Sequence, residues 1–257
     1  MLMRFAEMTA VVTGGGSGIG KATALLLAEE GANVIISGRT KEKLEAAAEE
    51  INQKIGEERV ACFVADSTKE EEVQDLARFI DDYYMGLHIV INNAGGSLQS
   101  KILDTSVEEW DIVQEVNLKS VFVVSKVLGK MMTESKVKGG NRAIVNIASL
   151  SGHKAASHLP HYSSAKAAVI NFTRALALEL APYGIRVNSV SPGFAETPLT
   201  EWSLKKEKFM QSIKRNTALG RVGTSEEIAK VIAFAASSDA SYMTGSDLLV
   251  DGGWMIT

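Results

Sequence analysis

The chain has 257 residues, of which 46% are hydrophobic and 23% charged, and its formal net charge is −4. This composition is ordinary for a folded soluble protein, and the scattered basic residues do not form the clustered positive face that binds nucleic acid or an anionic membrane. Cys62 is the single cysteine, which excludes a disulfide framework and a cysteine-based zinc site, and we expect no metal centre. Without a long apolar run or a signal peptide, we expect a cytoplasmic protein with no membrane association.

Short β-branched runs alternate with longer amphipathic stretches along the chain. This alternation is typical of an α/β fold in which helices cover a parallel sheet. The predicted strands span 8–13, 33–37, 60–64, 88–92, 143–148, 186–191 and 248–250, and the predicted helices span 18–30, 41–55, 69–84, 106–134, 160–181 and 225–237. The segment 192–217 is irregular and follows a strand, which suggests a mobile lid. Because no linker or internal repeat occurs, we interpret residues 1–257 as a single domain.

A glycine-rich loop stands between the first predicted strand and the first predicted helix. It reads Thr13-Gly14-Gly15-Gly16-Ser17-Gly18-Ile19-Gly20. In this position bare backbone can approach a pyrophosphate, and the helix N-terminus offers free N–H groups and a positive dipole end. A structural turn without a ligand is the alternative. A nucleotide triphosphatase loop is disfavoured because the residue after Lys21 would have to be Ser or Thr to bind magnesium, and it is Ala22.

If the glycine-rich loop binds a dinucleotide, the residue that contacts its ribose is expected about twenty positions later, at the end of the second predicted strand. An acidic side chain at this position binds the ribose 2′-hydroxyl of NAD. This chain has Gly38-Arg39-Thr40 instead, and the guanidinium of Arg39 favours the 2′-phosphate of NADP through charge-assisted hydrogen bonds. NADP(H) is therefore the favoured cofactor and NAD(H) the alternative. The structural explanation is that Arg39 caps a surface turn.

A serine, a tyrosine and a lysine form the candidate catalytic group. Ser149 ends an apolar strand, and Tyr162-Ser163-Ser164-Ala165-Lys166 begins a helical stretch. The i,i+4 spacing places Tyr162 and Lys166 on one helix face. A nearby ammonium group is expected to lower the tyrosine pKa from its free value of about 10, so that the phenol exchanges the proton that accompanies hydride transfer. Ser149 is expected to hold the substrate oxygen. Taken separately, each residue also has a purely structural explanation.

Together these motifs resemble those of the short-chain dehydrogenase/reductase family, in its compact single-domain branch. The similarity runs over essentially the whole chain. The resemblance to 3-oxoacyl-thioester reductases is general, and we take them as the first model because that activity is frequent among relatives of this length. The matching segments are Thr13-Gly14-x3-Gly18-x-Gly20, Asp66, Asn92-Asn93-Ala94-Gly95, Val116-Asn117-Leu118, Ser149…Tyr162-x3-Lys166 and Pro192-Gly193-x3-Thr197. The resemblance implies a Rossmann-type doubly wound seven-stranded parallel sheet with helices on both faces. It also implies a homotetramer, assembled through the helix that contains Arg174 and through residues 245–254.

The resemblance further implies roles for individual residues. The implied catalytic residues are Asn117, Ser149, Tyr162 and Lys166. The implied cofactor-binding residues are Gly14, Ser17, Gly18, Ile19, Gly20, Arg39, Asp66, Asn93, Ala94, Gly95, Tyr162, Lys166, Pro192, Gly193 and Thr197. Asn117 would hold a water that links Lys166 to solvent, and Lys166 would also bind the nicotinamide ribose. Ser149 would orient the substrate carbonyl while Tyr162 protonates its oxygen.

Two positions depart from the family pattern. Ser17 stands where NADP-preferring relatives often carry a second basic residue, so phosphate selection would rest mainly on Arg39. His88 stands where many relatives have Asp, and we expect a surface histidine there.

Three functions remain open at this point. The favoured one is an NADP(H)-dependent reductase of a 3-oxoacyl thioester or a similar ketone. The alternatives are an NAD-dependent alcohol, sugar or polyol dehydrogenase and, more remotely, a non-catalytic dinucleotide sensor on the same fold. His153, His158 and His161 flank Tyr162 and either contact a polar substrate or decorate a loop.

Overall fold

The computed structural model describes residues 3–134 and 140–257, and its centre is a parallel sheet. The strands are β1 (Thr9–Thr13), β2 (Asn33–Gly38), β3 (Val60–Val64), β4 (Ile89–Asn92), β5 (Ala143–Ile147), β6 (Arg186–Pro192) and β7 (Asp247–Val250). The described helices are α1 (Gly18–Glu29), α2 (Lys41–Ile55), α3 (Glu70–Tyr83), α4 (Val107–Gln114), α5 (Ser120–Glu134), α6 (Pro160–Leu180), α7 (Glu201–Leu204), α8 (Glu207–Asn216) and α9 (Ser225–Ala236). The sheet order is β3-β2-β1-β4-β5-β6-β7, which confirms the predicted doubly wound seven-stranded fold.

Helices cover both faces of this sheet. Val12 and Ile36 pack into one core with residues of α1, α2 and α9, whereas their neighbours Val11 and Ile35 pack into a second core with residues of α3 and α5. Adjacent residues of a strand point to opposite faces. Because both faces of the central strands β1, β2 and β4 are buried, these strands contain continuous apolar runs rather than alternating patterns. Within residues 3–134 and 140–257, no helix has the length and apolar character needed to cross a membrane.

The order of strands reverses at β1. From β1 the chain builds outward through β2 and β3, and then returns to add β4 on the other side of β1. Such a reversal opens a crevice at the carboxyl ends of the two central strands, because their crossover helices leave on opposite faces. The loops that begin with Gly14 and Asn93 therefore lie side by side at the edge of this crevice.

The predicted helix 106–134 is interrupted near its middle. It consists of α4, a π-helical segment from Glu115 to Lys119, and α5. Ser106 and Glu109 form a capping box that fixes the start of α4. The π-helical segment contains Asn117, whose side chain is completely buried. Short π-helical turns are frequent at functional sites, and hydrophobic periodicity alone did not predict this one.

The position of His88 requires a correction. We expected a surface residue, but His88 is 9% exposed, and its Nδ1 accepts a hydrogen bond from the Thr9 N–H at 3.0 Å. Burial, together with the charge of Arg142, lowers the pKa of His88. A neutral imidazole keeps the lone pair on Nδ1 that this hydrogen bond needs. His88 is therefore a buried acceptor for the first residue of β1.

The segment 192–217 is more regular than expected. It contains the short helices α7 and α8, and Ile213 of α8 is buried while the surrounding side chains are largely exposed. Phe209 of α8 also packs edge-on against Phe194, with the ring centres 5.2 Å apart, so this helix is short but amphipathic. Short helices in a largely polar segment give a weak signal in the sequence.

Candidate active site

Thr13 and Asn93 hold together the loops that follow β1 and β4. The Thr13 Oγ1 accepts hydrogen bonds from the N–H groups of Asn93 and Ala94, each at 3.0 Å. The Asn93 Nδ2 donates in return to the carbonyl oxygens of Thr13 and Gly14, at 3.0 and 3.2 Å. The loop after β4 therefore braces the glycine-rich loop from the neighbouring strand.

The glycine-rich loop depends on contacts that a side chain would prevent. Gly14 and Gly18 have φ angles of +65° and +52°, in the left-handed region that favours glycine. A β-carbon on Gly20 would lie 2.3 Å from the Gly14 carbonyl oxygen. The first turn of α1 consequently packs directly on the loop, and Ile19 in that turn packs against the sheet core.

The N-terminus of α1 fits a pyrophosphate. Ser17 precedes this helix, is exposed, and makes no side-chain cap to the described backbone, and the first turn has no acidic residue. By contrast, Ser106 and Thr224 cap the starts of α4 and α9 with their side chains. Uncapped N–H groups and the positive dipole end make a helix N-terminus an anion site. With the close-packed glycines beside it, this cradle suits the diphosphate of a dinucleotide.

Arg39 and Asp66 lie at the carboxyl ends of β2 and β3, on the opposite side of β1 from β5. Arg39 is exposed. Burial raises the pKa of Asp66, but hydrogen bonds from the N–H and hydroxyl of Thr68, with the charge of Arg39, hold that pKa below its ordinary value. A guanidinium and a carboxylate thus follow the ends of two neighbouring strands.

Ser149 and Tyr162 meet beyond the carboxyl end of β5. The Ser149 Oγ accepts a hydrogen bond from the Ser151 N–H at 3.1 Å, which leaves the hydroxyl proton available for donation. Tyr162 lies in the first turn of α6. Burial raises the pKa of Tyr162, and a hydrogen bond with Ser149 offsets only part of this effect. The phenol therefore holds its proton at neutral pH.

Lys166 lies one helical turn after Tyr162. Its side chain is 3% exposed, and its Nζ donates to the Ile147 carbonyl oxygen at 2.7 Å and lies 5.6 Å from the centre of the Tyr162 ring. Burial lowers the pKa of Lys166 to about 8. The expectation that Lys166 lowers the pKa of Tyr162 is therefore wrong for this geometry, because burial of the phenol dominates.

Asn117 shares a small space with Lys166. Its Nδ2 donates to the carbonyl oxygens of Gly96 and Val113, at 2.7 and 2.9 Å, and its Oδ1 accepts from the Gly96 N–H at 3.3 Å. A β-carbon on Gly95 would lie 2.8 Å from Asn117 Oδ1 and 3.5 Å from Lys166 Nζ. Glycine at this position thus lets the amide and the ammonium group approach the same point.

The segment after β6 spans the crevice. Pro192 ends β6, and the Gly193 N–H donates to the Val250 carbonyl oxygen at 2.8 Å. A β-carbon on Gly193 would lie 2.6 Å from the Asp251 Cα, so this turn packs closely against the end of β7. Thr197 then reaches the glycine-rich loop, since a β-carbon on Gly18 would lie 3.5 Å from the Thr197 Cβ.

The three histidines near Tyr162 have different environments. His161 is completely buried, and its Nδ1 accepts a hydrogen bond from the Tyr162 N–H at 3.0 Å. His158 has a φ of +65° and lines a cavity of about 420 Å³, and its carbonyl oxygen accepts from the Ser100 N–H at 2.9 Å. His153 Nε2 lies 2.8 Å from a carboxylate oxygen on β7. His153 thus has a structural partner on β7, His161 leaves its Nε2 buried without a hydrogen-bond partner in the described part of the chain, and His158 lies beside the loop after β4.

Sequence reasoning missed two participants. The Thr13 hydroxyl binds the N–H of Asn93, which lies 80 residues later, so only the fold shows the contact. The Ile147 carbonyl oxygen is the acceptor for Lys166, and a main-chain carbonyl has no signature in a sequence.

In the described part of the chain, no three His, Cys, Asp or Glu side chains are placed to hold a metal ion.

Comparisons with known proteins agree with this geometry. A family described as Enoyl-(Acyl carrier protein) reductase matches residues 14–255. The chain is 38% identical over 254 residues to the 3-oxoacyl-[acyl-carrier-protein] reductase FabG of Thermotoga maritima, covering 99% of this chain and 100% of that protein. It is 37% identical over 256 residues to the cyclohexanol dehydrogenase of an Acinetobacter species, covering 99% and 97% of the two chains.

The fold is also shared with solved structures. A short-chain type dehydrogenase/reductase from Mycobacterium marinum superposes with a TM-score of 0.92 at 34% identity, covering 100% of this chain and 98% of that one. The family match, the full-length relatives and the structural likeness cover the whole crevice described above. The chain therefore belongs to the short-chain dehydrogenase/reductase family of oxidoreductases, which act on carbonyl and alcohol groups with a nicotinamide dinucleotide.

Proposed function

We propose that the protein is an NADPH-dependent reductase of a small-molecule ketone. The observation that carries this proposal is the partly buried Tyr162 phenol beside the Ser149 hydroxyl. A phenol keeps its proton at neutral pH, and burial raises the pKa of Tyr162 further, so this group can donate a proton. Proton donation to oxygen is what carbonyl reduction needs, whereas alcohol oxidation needs a base at the same position.

The reaction converts a carbonyl into a secondary alcohol. A nicotinamide dinucleotide held in the crevice would supply the hydride that the carbonyl carbon accepts. Ser149 donates a hydrogen bond to the carbonyl oxygen as negative charge develops there, and Tyr162 transfers its proton to that oxygen. Lys166 binds the ribose hydroxyls and, with a water held by Asn117, returns a proton from solvent to Tyr162. Gly95 keeps Asn117 and Lys166 close enough for this relay.

The same proposal assigns the cofactor contacts. The backbone of the glycine-rich loop and the first turn of α1 bind the pyrophosphate, Arg39 binds the 2′-phosphate, and Asp66 contacts the adenine. The full proposed set is Gly14, Ser17, Gly18, Ile19, Gly20, Arg39, Asp66, Asn93, Ala94, Gly95, Tyr162, Lys166, Pro192, Gly193 and Thr197. The residues from Pro192 to Thr197 hold the nicotinamide carboxamide.

We propose a 3-oxoacyl thioester as the first substrate class to assay. The relative from Thermotoga maritima is named for that activity over the full length of the chain. The segment 192–217 would act as a lid over the substrate in a single domain, and its two short helices, α7 and α8, offer exposed apolar side chains such as Trp202. The cytoplasm remains the predicted location.

A homotetramer is part of the proposal. Phe122 on α5 and Leu178 on α6 are 47% and 79% exposed, and exposed apolar side chains of this size suit an interface. Light scattering on the purified protein measures the assembly, and a monomeric mass would contradict this part of the proposal.

Titration of NADPH and NADH, followed by fluorescence, tests the cofactor assignment. The wild type is expected to bind NADPH more tightly. Arg39→Ala is expected to weaken NADPH binding about 10- to 100-fold, because charged hydrogen bonds of this kind are worth about 1.5–3 kcal/mol, and to leave NADH binding nearly unchanged. Lys54→Ala at the far end of α2 is the matched control and is expected to alter neither.

The same titration separates the alternatives. Tighter binding of NADH would replace the proposal with an NAD-dependent alcohol or polyol dehydrogenase. Binding of neither dinucleotide would contradict an enzymatic function. Equal losses of NADPH and NADH affinity in Arg39→Ala would show that Arg39 shapes the loop rather than binding the phosphate.

A further inference from the structure

A buried carboxylate joins β6, β7 and the turn after β5. Asp247, the first residue of β7, has a side chain that is 7% exposed. Its Oδ1 accepts hydrogen bonds from the hydroxyls of Ser189 and Ser191, at 2.5 and 2.9 Å. Its Oδ2 lies 2.8 Å from His153 Nε2, which also lies 3.2 Å from the Ser191 Oγ. Three polar side chains from two other segments thus converge on this carboxylate.

The geometry of this cluster does not make a nucleophile. In a nucleophilic triad, the carboxylate binds one ring nitrogen of histidine and the serine binds the other. Here Asp247 and Ser191 contact the same nitrogen of His153, and the Ser191 hydroxyl also lies within hydrogen-bond distance of the Asp247 carboxylate. The histidine therefore cannot relay a proton from the serine to the carboxylate, and the cluster acts as a structural connection.

One end of this connection is the turn that carries Ser149. A single 3₁₀ turn, Leu150–Gly152, separates Ser149 from His153. The Gly152 N–H donates to the Ser149 carbonyl oxygen at 2.9 Å, and the His153 N–H donates to the Leu150 carbonyl oxygen at 3.0 Å. Because this turn is short and internally hydrogen-bonded, fixing the side chain of His153 also restricts the position of Ser149.

The other end of the connection is the strand end that precedes the proposed nicotinamide contacts. Ser191 is followed directly by Pro192 and Gly193, and the sheet pairs β6 with β7 at this point. The hydroxyl of Ser191 is therefore held on the same rigid edge as the Asp247 carboxylate. Hydride transfer needs the carbonyl held by Ser149 and the nicotinamide at a fixed separation.

We propose that His153 is a positioning residue that, by donating its Nε2–H to Asp247, fixes Ser149 relative to the Pro192-Gly193 segment. We call the hydrogen bond between His153 and Asp247 the tether. The expected effect of the tether on the reaction rate rests on the proposed function, whereas its effect on the position of Ser149 does not. The tether requires a hydrogen-bond donor at the place of the imidazole Nε2. Glutamine can present an amide N–H near that place, whereas leucine fills a similar volume without a donor.

The test compares His153→Leu with His153→Gln in the full-length protein. Lys154→Leu is the matched control, since this neighbouring side chain is exposed. In His153→Leu we expect kcat for ketone reduction to fall about tenfold, with the NADPH Kd within about twofold of the wild type, because a misplacement of about 1 Å at the reacting groups can cost up to about 10²-fold in rate. His153→Gln is expected to stay within about threefold of wild-type kcat, and Lys154→Leu to match the wild type.

A second measurement does not depend on activity. Amide hydrogen exchange of a peptide covering residues 148–156 is expected to be about tenfold faster in His153→Leu and to return toward the wild type in His153→Gln. Unchanged exchange, or equal acceleration in both variants, would overturn the tether. Should the wild type reduce no ketone while the exchange pattern appears as expected, the proposed function would fail and the tether would stand.

Discussion

The two sides of the crevice are built by different parts of the chain. On the β1 and β2 side, the shape comes mostly from the main chain. The Gly14 carbonyl oxygen occupies the space that a β-carbon on Gly20 would need, and the first turn of α1 has no side-chain cap from Ser17. On the β5 to β7 side, the contacts come from side chains, and Ser149, Tyr162 and Lys166 are buried or partly buried. Thr13 and Asn93 join the two sides.

Because of this difference, substitutions on the two sides of the crevice are expected to impair different properties of the protein. A substitution among the glycines adds atoms where none fit, so it disturbs the loop and the binding of the dinucleotide together. A substitution among the catalytic side chains removes one chemical group from a scaffold that the sheet already holds. The first kind is therefore expected to cost stability and affinity, and the second kind to cost turnover.

The largest expected effect is on turnover, from a substitution on the β5 to β7 side of the crevice. Tyr162→Phe is expected to lower kcat for ketone reduction by about 10²–10⁴, because positioned proton transfer contributes that range. The Kd for NADPH is expected to stay within about threefold, since the ring remains in place. Steady-state kinetics and a fluorescence titration measure the two quantities, and unchanged turnover would refute Tyr162 as the proton donor.

The pH dependence of kcat/KM for ketone reduction is expected to follow the charge of Lys166. Burial lowers the pKa of Lys166 to about 8, so the ammonium group is present below that pH and is lost as the pH rises through it. We expect kcat/KM for reduction, which reports the free enzyme, to fall about tenfold for each pH unit above about 8. We do not attribute this alkaline fall in kcat/KM to Tyr162, because the pKa of Tyr162 is raised above its ordinary value. We call this fall the alkaline limb of the pH profile.

Lys166→Arg provides the control for that profile. Because arginine stays charged over this range, the residual activity of the variant is expected to lack the limb near pH 8. A limb that persists in Lys166→Arg would assign the titration to another group.

Two glycines in helices test whether close main-chain packing on the β1 and β2 side of the crevice excludes a side chain. In Gly20→Ala the new β-carbon would lie 2.3 Å from the Gly14 carbonyl oxygen, so we expect a loss of about 1–3 kcal/mol of unfolding free energy and weaker NADPH binding. In Gly129→Ala on α5 the nearest atom would lie 3.8 Å away, so we expect a gain of about 0.4–1 kcal/mol. Urea denaturation measures both, and equal effects would contradict the packing argument.

The smallest expected effect lies outside the crevice, at His88. His88→Leu removes the acceptor for the Thr9 N–H and is expected to cost about 1–2 kcal/mol, whereas His88→Asn can restore an acceptor near Nδ1. The pKa of His88 is lower in the folded protein than its ordinary value of 6.5. As the pH falls through 6.5, the unfolded chain therefore binds more protons than the folded one, and the free energy of unfolding decreases. Thermal unfolding between pH 5 and 8 is expected to show a weaker pH dependence in His88→Leu.

Much of the fold was predictable because its pattern is local. Strands buried on both faces are short apolar runs, and the glycine-rich loop lies between adjacent elements, so β1, α1 and β2 were predicted to within one or two residues. The spacing of Tyr162 and Lys166 likewise lies within one helix. The π-helical segment at Asn117 was not predictable, because a single extra residue in a turn hardly alters the periodicity.

The parallel α/β architecture, the chemical identity of the candidate side chains and the absence of an acidic residue after β2 can all be read from the amino-acid sequence. The surroundings of those side chains cannot, because they are set by the folded chain. The tertiary structure buried His88, turned the Lys166 ammonium group toward the Ile147 carbonyl oxygen, and placed His153 beside Asp247. The physical reason is that burial and long-range hydrogen bonds set the pKa and position of a group, and both depend on residues far away in the chain.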